Sequence, residues 1–391
     1  MPKHPPSRRL TRRHFLGAAG ALGAGGLALP SFLGGRLAGA TTPRSTPPAQ
    51  GEGGSLWFDN WPEYIDLTED GYVGTVDRFM QATGIDMTYT EVISDNNEYF
   101  AQIQPVLGRG DTIDADIIAP TSWMAGRLIS LDWVDQLPLE DVPNAANLRA
   151  DLVNPAWDPT GEYSLPWQTG FAGIAYNIEH TGRELTSTED LFDPEFAGRV
   201  GMLTEMRDTI GLLALAEGID ISTLSSFDEA APAFERLQKA KDSGQVRAFT
   251  GNEYIVDLEA GNFAACIGWS GDVAAINVDN PNIRFVIPEE GGTSWADTML
   301  MPKGAMHREE AAQWMDFVYE PENAALITAY VWFVSPVDGI RDHVAEIDPE
   351  LAENALVFPD DETLSRVHTF AHLDEEVEAE FDAAFSEIAG A

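Results

Sequence analysis

The sequence predicts an α/β protein built as two lobes, each an open sheet flanked by helices. From about Ser55 to the C-terminus, short apolar or alternating segments typical of strands alternate with segments whose apolar residues recur at helical spacing. The 391 residues are enough for two domains of ordinary size. A hydrophobic content of 44% is typical of a globular chain, and no repeat of solenoid length is visible.

The first part of the folded chain reads as a βαβαβ unit, which predicts an open, doubly wound sheet. Thr121 or Ser122 is a candidate cap for its third helix. Because ligands bind beyond the carboxyl ends of the strands in such sheets, residues that follow a strand are candidates for a site. The predicted strands cover 55–60, 85–93 and 115–120, and the predicted helices cover 72–84, 97–110 and 121–130.

A second alternating unit follows residues 163–170 and includes a long acidic helix at the end of the chain. Two α/β lobes, with the chain crossing between them more than once, are the simplest architecture for this order, and ligands favour the cleft between lobes. Strands are predicted over 171–177, 199–205, 264–269, 283–288 and 291–305, and helices over 206–218, 227–244, 309–321, 322–332 and 374–390.

The charge balance excludes some partners. The chain has 23 Lys and Arg residues against 64 Asp and Glu residues, a formal net charge of −41. Nucleic acid needs a basic footprint, so it is not an expected partner, and an anionic lipid surface is disfavoured too. Only three lysines follow residue 40, namely Lys239, Lys241 and Lys303, and the acidic residues are scattered along the whole chain. This favours a solvated acidic coat and a halophilic source over one large cation site.

The N-terminus has the features of an export signal. Arg12 and Arg13 precede an apolar stretch rich in Gly and Ala, which ends in a small-residue run at 38–40. The basic pair is similar to the twin-arginine signal, which predicts a signal peptide over 1–40 and delivery to the outer face of the membrane or a periplasm-like space. Cleavage or retention as an anchor stays open. Residues 41–54 are expected to be a flexible linker.

The sequence contains little evidence for an enzyme. The segment around Ser270 lacks the second glycine of a nucleophile elbow, because Asp272 stands there. His368 and His372 could share a helix face, but such a pair is more often a solvated surface than a metal site. Cys266, the single cysteine, is expected to be a small buried hydrophobe. We expect no cofactor, no metal and no catalysis, although paired carboxylates for glycoside hydrolysis stay open.

Indole and carboxylate groups recur together near predicted strand ends. Each pair has an ordinary explanation, since tryptophans are usually core and acids in a first helical turn complement the helix dipole. Together they suit an organic cation, because indole faces attract ammonium and carboxylates accept N–H bonds. A methylene chain could lie between the rings. The groups are Trp61 with Glu63, Trp269 with Asp272, Trp295 with Asp297, and Glu205 with Asp208.

Several segments carry a resemblance to a known family: "NWPEYI", "DIIAPTSWM", "YSLPWQTGFAGIAYN", "LTEMRD", "IGWSGD", "IPEEGGTSWAD" and "FPDDETL". From about Ser55 onward the chain resembles the spermidine/putrescine-binding proteins of polyamine ABC importers. The resemblance implies the two-lobed periplasmic-binding-protein fold (type II), closing over one polyamine. It implies ABC permease subunits with a cytoplasmic ATPase as partners, and we expect a monomer. It places lobe one at 55–170 plus 296–367 and lobe two at 171–295 plus 368–391.

The resemblance also implies a set of ligand contacts. Thr121 and Trp123 stand where the family has Ser and Tyr, Phe333 replaces a tyrosine, and a glutamine contact falls at about Phe370. The changes at Phe333 and at about Phe370 each remove a polar group, so they make the pocket more apolar at those two places. The implied ligand-binding residues are Trp61, Glu63, Tyr64, Thr121, Trp123, Glu205, Asp208, Trp269, Trp295, Asp297 and Phe333.

Three hypotheses therefore stand. The first is an extracellular solute-binding protein that captures spermidine or putrescine. The second is a receptor for another organic amine, such as a quaternary ammonium caged by tryptophans, although one permanent cation needs no carboxylate at each end of the ligand. The third is a secreted glycosidase-like enzyme, which hydrolysis of a glycoside would support.

Overall fold

The computed structural model describes residues 54–69 and 71–390. The predicted signal peptide over 1–40 and nearly all of the predicted linker over 41–54 lie outside the described residues. Within the described residues, no helix is both long enough and apolar enough to cross a membrane. Strand β1 begins at Ser55, as the sequence predicts.

The described chain alternates strands and helices around one large mixed sheet. Its strands are β1 (Ser55–Asn60), β2 (Asp86–Glu91), β3 (Ile117–Ile118), β4 (Val134–Asp135), β5 (Ser164–Asn177), β6 (Val200–Leu203), β7 (Val246–Thr250), β8 (Ala265–Trp269), β9 (Ile283–Val286), β10 (Gly292–Pro302) and β11 (Val367–Thr369). The order along the sheet is β2-β1-β3-β10-β5-β8-β6-β7, with β4 and β11 paired to β10 and β9 paired to β5. The mixture of α and β elements confirms the predicted fold class.

Helices cover the faces of the sheet. They are α1 (Thr75–Thr83), α2 (Asn96–Leu107), α3 (Ser122–Ser130), α4 (Ile178–Thr181), α5 (Met206–Ala216), α6 (Phe227–Asp242), α7 (Tyr254–Glu259), α8 (Ser270–Asn277), α9 (Arg308–Val318), α10 (Pro321–Val331), α11 (Arg341–Ile347), α12 (Pro349–Ala352), α13 (Asp361–Leu364) and α14 (Glu375–Ala389). Helix α3 begins immediately after Thr121, which is one of the two predicted caps.

Strands β5 and β10 form the antiparallel pair at the middle of the sheet. All 14 residues of β5 are buried, including the polar Ser164, Gln168, Thr169 and Asn177, and the strand is longer than the predicted strand over 171–177. The register of the pair shifts between Asp297 and Thr298, and Pro166 lies opposite Thr298. Proline cannot donate to a ladder, and a shifted register is one of the few places within a sheet that accommodates it.

Two main hydrophobic cores contain opposite ends of β5, with Leu165 and Trp167 in one and Ala172 and Ile174 in the other. One core includes Trp167 and Trp314, whose stacked rings have centroids 6.3 Å apart. The other includes Phe234 and Phe381, whose centroids are 5.4 Å apart. Each core joins segments far apart in sequence, as expected when a chain crosses between two units more than once. The lobe boundaries at Gly170, Ala296 and Val367 stay a prediction.

Some predicted details are wrong or incomplete. His368 lies in β11, which pairs with Gly292–Ser294 of β10, so His368 and His372 do not share a helix. Strand β7 and helix α7 have no counterpart among the predicted elements, because both are short and β7 is only partly buried. The burial of Cys266 is confirmed: it has no exposed surface, and burial raises the pKa of its thiol.

The start of β1 is anchored to the loop before α9 through Asp116. One Asp116 oxygen accepts the backbone N–H groups of Met306 (3.2 Å) and His307 (3.1 Å). The other lies 2.9 Å from His307 Nδ1 and accepts the Trp57 N–H at 3.0 Å. His307 Nε2 is in turn 3.0 Å from Ser55 Oγ. Because Asp116 serves three backbone donors, this Asp–His–Ser chain is best explained as a structural anchor.

Replacing Asp116 by alanine should lower the free energy of unfolding by about 2–4 kcal/mol, because three backbone N–H groups lose a charged acceptor. Equilibrium unfolding in urea measures the change. Asp111→Ala is the matched control, because Asp111 forms an exposed ion pair with Arg109 at 3.2 Å and should cost less than about 1 kcal/mol. Equal losses from the two variants would contradict the anchor.

Candidate functional site

The segments that follow β1 and β3 meet at one edge of the sheet. The two strands are parallel neighbours, so their carboxyl ends lie side by side. The indole N–H of Trp61, just after β1, donates to the Ala119 carbonyl oxygen after β3 at 2.8 Å. Tyr64 and Thr121 follow on the same two segments. The predicted site residues of the first loop and of the α3 start are therefore adjacent in space.

Asp297 is the centre of this edge. It lies on β10, is 6% exposed, and accepts the Tyr64 hydroxyl at one oxygen and the Thr121 hydroxyl at the other, both at 2.7 Å. Asn96 fixes Thr121 from the other side, since its amide donates to Thr121 Oγ1 at 2.9 Å and accepts the Thr121 N–H at 3.0 Å. Thr121 precedes α3 but makes no side-chain cap bond, because its hydroxyl is committed to Asp297.

Aromatic rings line the neighbourhood of Asp297. The Phe333 ring meets the Tyr64 ring edge-on, with centroids 5.9 Å apart, and meets the Trp295 ring at 5.2 Å. Two glycines allow this approach, since a Cβ on Gly271 would overlap the Phe333 ring and a Cβ on Gly170 would overlap the Trp295 indole. The structure therefore groups three of the predicted aromatic site residues around one carboxylate.

A second buried carboxylate lies at the start of α5. Asp208 is 4% exposed and accepts the Trp269 indole N–H at 2.8 Å and the Thr293 hydroxyl at 2.5 Å. Trp269 is held in place by its backbone N–H, which donates to the Tyr254 hydroxyl oxygen at 3.0 Å. The sequence pattern predicts a pairing of Trp269 with Asp272, but the acid bonded to the Trp269 indole is Asp208, and Asp272 accepts the Tyr254 hydroxyl at 3.1 Å.

Glu205 caps the same helix and lies next to an arginine. Its carboxylate accepts the Arg207 backbone N–H at 3.2 Å, and Arg207 Nη1 is 3.8 Å from Glu205 Oε1. The Arg207 side chain pairs with Glu378 of α14 and covers the ring of Trp123, with its guanidinium carbon 3.6 Å from the ring centroid. Among the predicted aromatic residues, Trp123 therefore has a face occupied by a cation of the chain itself.

Burial controls the charge state of the site. It raises the pKa of Asp297 to about 6, although hydrogen bonds from Tyr64 and Thr121 oppose the shift. Burial also raises the pKa of Asp208. It raises the pKa of Glu205 to about 7 against the attraction of Arg207, but 24% of the Glu205 side chain is exposed. Asp297 and Asp208 are the more deeply desolvated acids.

Neither acid forms an ion pair within the described residues. Across residues 54–69 and 71–390, no Lys, Arg or His nitrogen lies within ion-pair distance of Asp297 or Asp208, although the charge of Arg207, acting from farther away, partly opposes the burial that raises the pKa of Asp208. A buried carboxylate is costly unless it is paired or coordinates a cation. The arrangement can therefore accept positively charged N–H donors at two positions, with aromatic rings close to each acid.

Backbone conformation marks the same region. Among the described non-glycine residues, four have positive φ; one of these, at 54°, is the predicted site residue Glu63, and another, at 62°, is Trp332, which immediately precedes the predicted site residue Phe333. Such conformations are costly and are retained where surrounding structure enforces them, often at functional sites. The Glu63 N–H donates to Glu91 Oε1 at 2.9 Å, which fixes the first loop to the end of β2.

Several supporting residues were not predicted as part of the site. Asn96, Thr293, Tyr254 and Gly271 orient the predicted acids and rings through tertiary contacts. Their only sequence signal is position, since Thr293 lies two residues before Trp295 and Gly271 lies between Trp269 and Asp272. Phe370, at an implied glutamine position, packs against Phe381 with ring centroids 6.1 Å apart.

The structure also bears on the chemistry considered from sequence. Ser270 has no exposed surface, and its Oγ accepts the Phe171 N–H at 3.4 Å, so it is not placed as a nucleophile. Within the described residues, no group of three or more His, Cys, Asp and Glu side chains is arranged to hold a metal ion.

A family model described as bacterial extracellular solute-binding protein matches residues 74–359, more than half of the chain. The chain belongs to this family. The solute-binding protein is 26% identical over 317 residues to the spermidine/putrescine-binding periplasmic protein 1 of Haemophilus influenzae, covering 80% of this chain and 83% of the relative. It is 24% identical over 376 residues to the putrescine-binding periplasmic protein PotF of Escherichia coli, covering 91% and 97%.

Solved structures confirm the predicted type of fold. A spermidine/putrescine ABC transporter substrate-binding protein from Streptococcus pneumoniae superposes with a TM-score of 0.72 at 23% identity, covering 85% of this chain and 98% of that one. A binding protein from A. tumefaciens in complex with glucopine superposes with a TM-score of 0.65 at 17% identity, covering 86% and 99%. Since one fold serves different ligands, the ligand of this solute-binding protein must be inferred from its site.

Replacing Asp297 by asparagine should stabilise the ligand-free protein at pH 7 but not at pH 4. Since the folded pKa is raised, the folded state binds more protons than the unfolded state between pH 4 and pH 6. The free energy of unfolding therefore falls as pH rises through that window. The raised pKa of about 6 corresponds to about 2–3 kcal/mol at pH 7.

Urea unfolding of wild type and Asp297→Asn at pH 4 and pH 7 measures this difference. Asp111→Asn is the control, because Asp111 is exposed and a surface substitution of this kind should change the free energy of unfolding by less than about 0.5 kcal/mol. A stability difference for Asp297→Asn that is the same at both pH values would contradict a raised pKa at this site.

Proposed function

We propose that this protein captures a polyamine between its two lobes and delivers it to an ABC importer without chemical turnover. The relatives named above are periplasmic binding proteins for spermidine or putrescine, which supports export and the same ligand class here. A permease pair and a cytoplasmic ATPase would be the partners. The predicted signal peptide over 1–40 would direct the chain to the outer side of the membrane.

One observation carries the proposal: two buried carboxylates form no ion pair within the part of the chain that the structure describes. Asp297 and Asp208 are 6% and 4% exposed and accept hydrogen bonds from hydroxyl groups and an indole N–H. Each hydrogen bond lowers the cost of desolvation, but none supplies a positive charge. A ligand with two ammonium groups could place one beside each carboxylate. The two ion pairs would offset the free energy that desolvation of Asp297 and Asp208 costs.

The rings near the two acids favour an aliphatic spacer. Trp295, Phe333 and Trp269 offer faces and edges to a methylene chain, and each buried methylene contributes about 0.8 kcal/mol. Each ammonium over an indole adds about 0.5–2 kcal/mol. A diamine or longer polyamine combines these two groups in one molecule.

A quaternary ammonium compound fits the same observations less well. It has no N–H to donate, so Asp297 and Asp208 would each keep two neutral donors and gain no charge-assisted hydrogen bond. One permanent cation would also leave one of the two acids without a partner. The chemistry of the site therefore favours a ligand with several protonated amines.

The acidic coat is not expected to replace these contacts. At 1 M salt the Debye length is about 3 Å, so scattered surface acids attract a polyamine only weakly. Contacts within a closed cleft are short and partly dry, and salt screens them much less. This separation allows the site and the coat to be tested independently.

Isothermal titration of the protein without residues 1–40, in molar salt, tests the proposal against putrescine, spermidine and spermine, with glycine betaine as the control ligand. We expect saturable binding of a polyamine to one site and no binding of betaine. Binding of betaine alone would replace the polyamine by a quaternary ammonium. Absence of any binding would leave only the likeness of fold.

Asp297→Asn should weaken polyamine binding by at least about 100-fold, because a charge-assisted hydrogen bond in a desolvated site is lost. The matched control neutralises Glu375, Glu376 and Glu380, which are exposed on α14, to glutamine. That control should change affinity by less than about threefold in molar salt. Comparable losses from both proteins would contradict the assignment of Asp297 to the ligand site. Glu378 is left out of the control because it is buried against Arg207.

A further inference from the structure

The face of Trp123 is already occupied by a positive charge. The guanidinium carbon of Arg207 lies 3.6 Å from the centroid of the Trp123 ring, and the Arg207 side chain is 8% exposed. This is a close, desolvated cation–π contact, the kind in which the interaction is strongest. A ligand ammonium could use the same face only by displacing the arginine.

Arg207 is held firmly in that position. Its Nη2 donates to Glu378 Oε1, and Glu378 is itself only 7% exposed. Arg127, one turn after Trp123 on α3, approaches the other Glu378 oxygen at 3.8 Å. Removing Arg207 from this place would leave Glu378 buried and poorly compensated, which is strongly unfavourable. The arginine is therefore a fixed part of the site.

The acids around the site then fall into two classes. Asp297 and Asp208 have no cation of the chain within ion-pair distance among the described residues. Glu205 is different, because Arg207 Nη1 lies 3.8 Å from its Oε1. Two acids remain available to ligand cations, and the third position, formed by Glu205 and the Trp123 ring, already contains one.

We propose that Arg207 is a specificity-determining residue that fills this third cation position, so that the cleft selects diamines over triamines and tetraamines. The inference rests on the proposed polyamine function. A third ammonium group would approach a guanidinium that cannot move away, and like charges repel strongly where solvent is excluded. Selectivity of this kind comes from a repulsive element as well as from attractive contacts.

Isothermal titration with putrescine and spermidine tests the role of Arg207. The variant is Arg207→Gln with Glu378→Gln, because removing both charges of the buried pair leaves neither one uncompensated. We expect the wild-type protein to bind putrescine at least about tenfold more tightly than spermidine. In the double variant the ratio of spermidine affinity to putrescine affinity should rise about tenfold above that of wild type.

Arg127→Gln is the matched control. Arg127 also approaches Glu378, but its guanidinium carbon lies 4.6 Å from the centroid of the Phe100 ring, so its loss leaves the Trp123 face covered. Its ratio of putrescine to spermidine affinity should equal that of wild type. Trp123→Tyr, which offers a weaker platform to Arg207, should shift the ratio toward spermidine and provides a test if the double variant does not fold.

The outcomes distinguish failure of the role of Arg207 from failure of the proposed polyamine function. Polyamine binding with a ratio that neither the double variant nor Trp123→Tyr changes would overturn the role of Arg207 and leave the proposed function standing. A wild-type preference for spermidine would do the same. No polyamine binding by wild type would overturn the proposed function and this inference together. A shift as large in Arg127→Gln would assign the effect to the charge around Glu378 instead of the covered ring.

Discussion

The two hydroxyl bonds to Asp297 hold the functional edge of the sheet together. Tyr64 follows β1, Thr121 follows β3, and both donate to one carboxylate on β10 at 2.7 Å. These bonds make a buried carboxylate tolerable without providing a counter-charge. The loop after β1, the start of α3 and the middle of β10 are therefore fixed relative to one another by neutral donors. Within the described residues the Asp297 carboxylate has no ion-pair partner.

Much of the fold could be predicted because the spacing of apolar residues in the sequence agrees with the pattern of buried residues along most helices and strands. Strand β1 and helix α14 follow their sequence patterns closely, since each buries one consistent face. Strand β5 was predicted only in part, because a strand buried along its whole length gives no alternation. Strand β11 was missed because three residues are too few to show an alternating pattern of apolar and polar residues. Its position depends on pairing with β10.

The candidate site could be proposed from sequence where acidic and aromatic residues follow strand ends, but its tertiary contacts could not. The acids and rings were chosen from their positions after predicted strands and from the family resemblance, and their role as ligand contacts stays a prediction. The partner of Trp269 could not be chosen in this way, because Asp208 is distant in sequence and joins it only in the folded chain. The covering of Trp123 by Arg207 likewise depends on how α3 and α5 face each other.

Helix α14 has a consequence for how stability and local charge are linked. Glu378 on α14 fixes Arg207, and Phe381 on the same helix packs in the core with Phe234. A substitution that loosens α14 would therefore weaken that core and release the Arg207 side chain at the same time. One helix thus connects the integrity of a hydrophobic core to the position of the charge over the Trp123 ring.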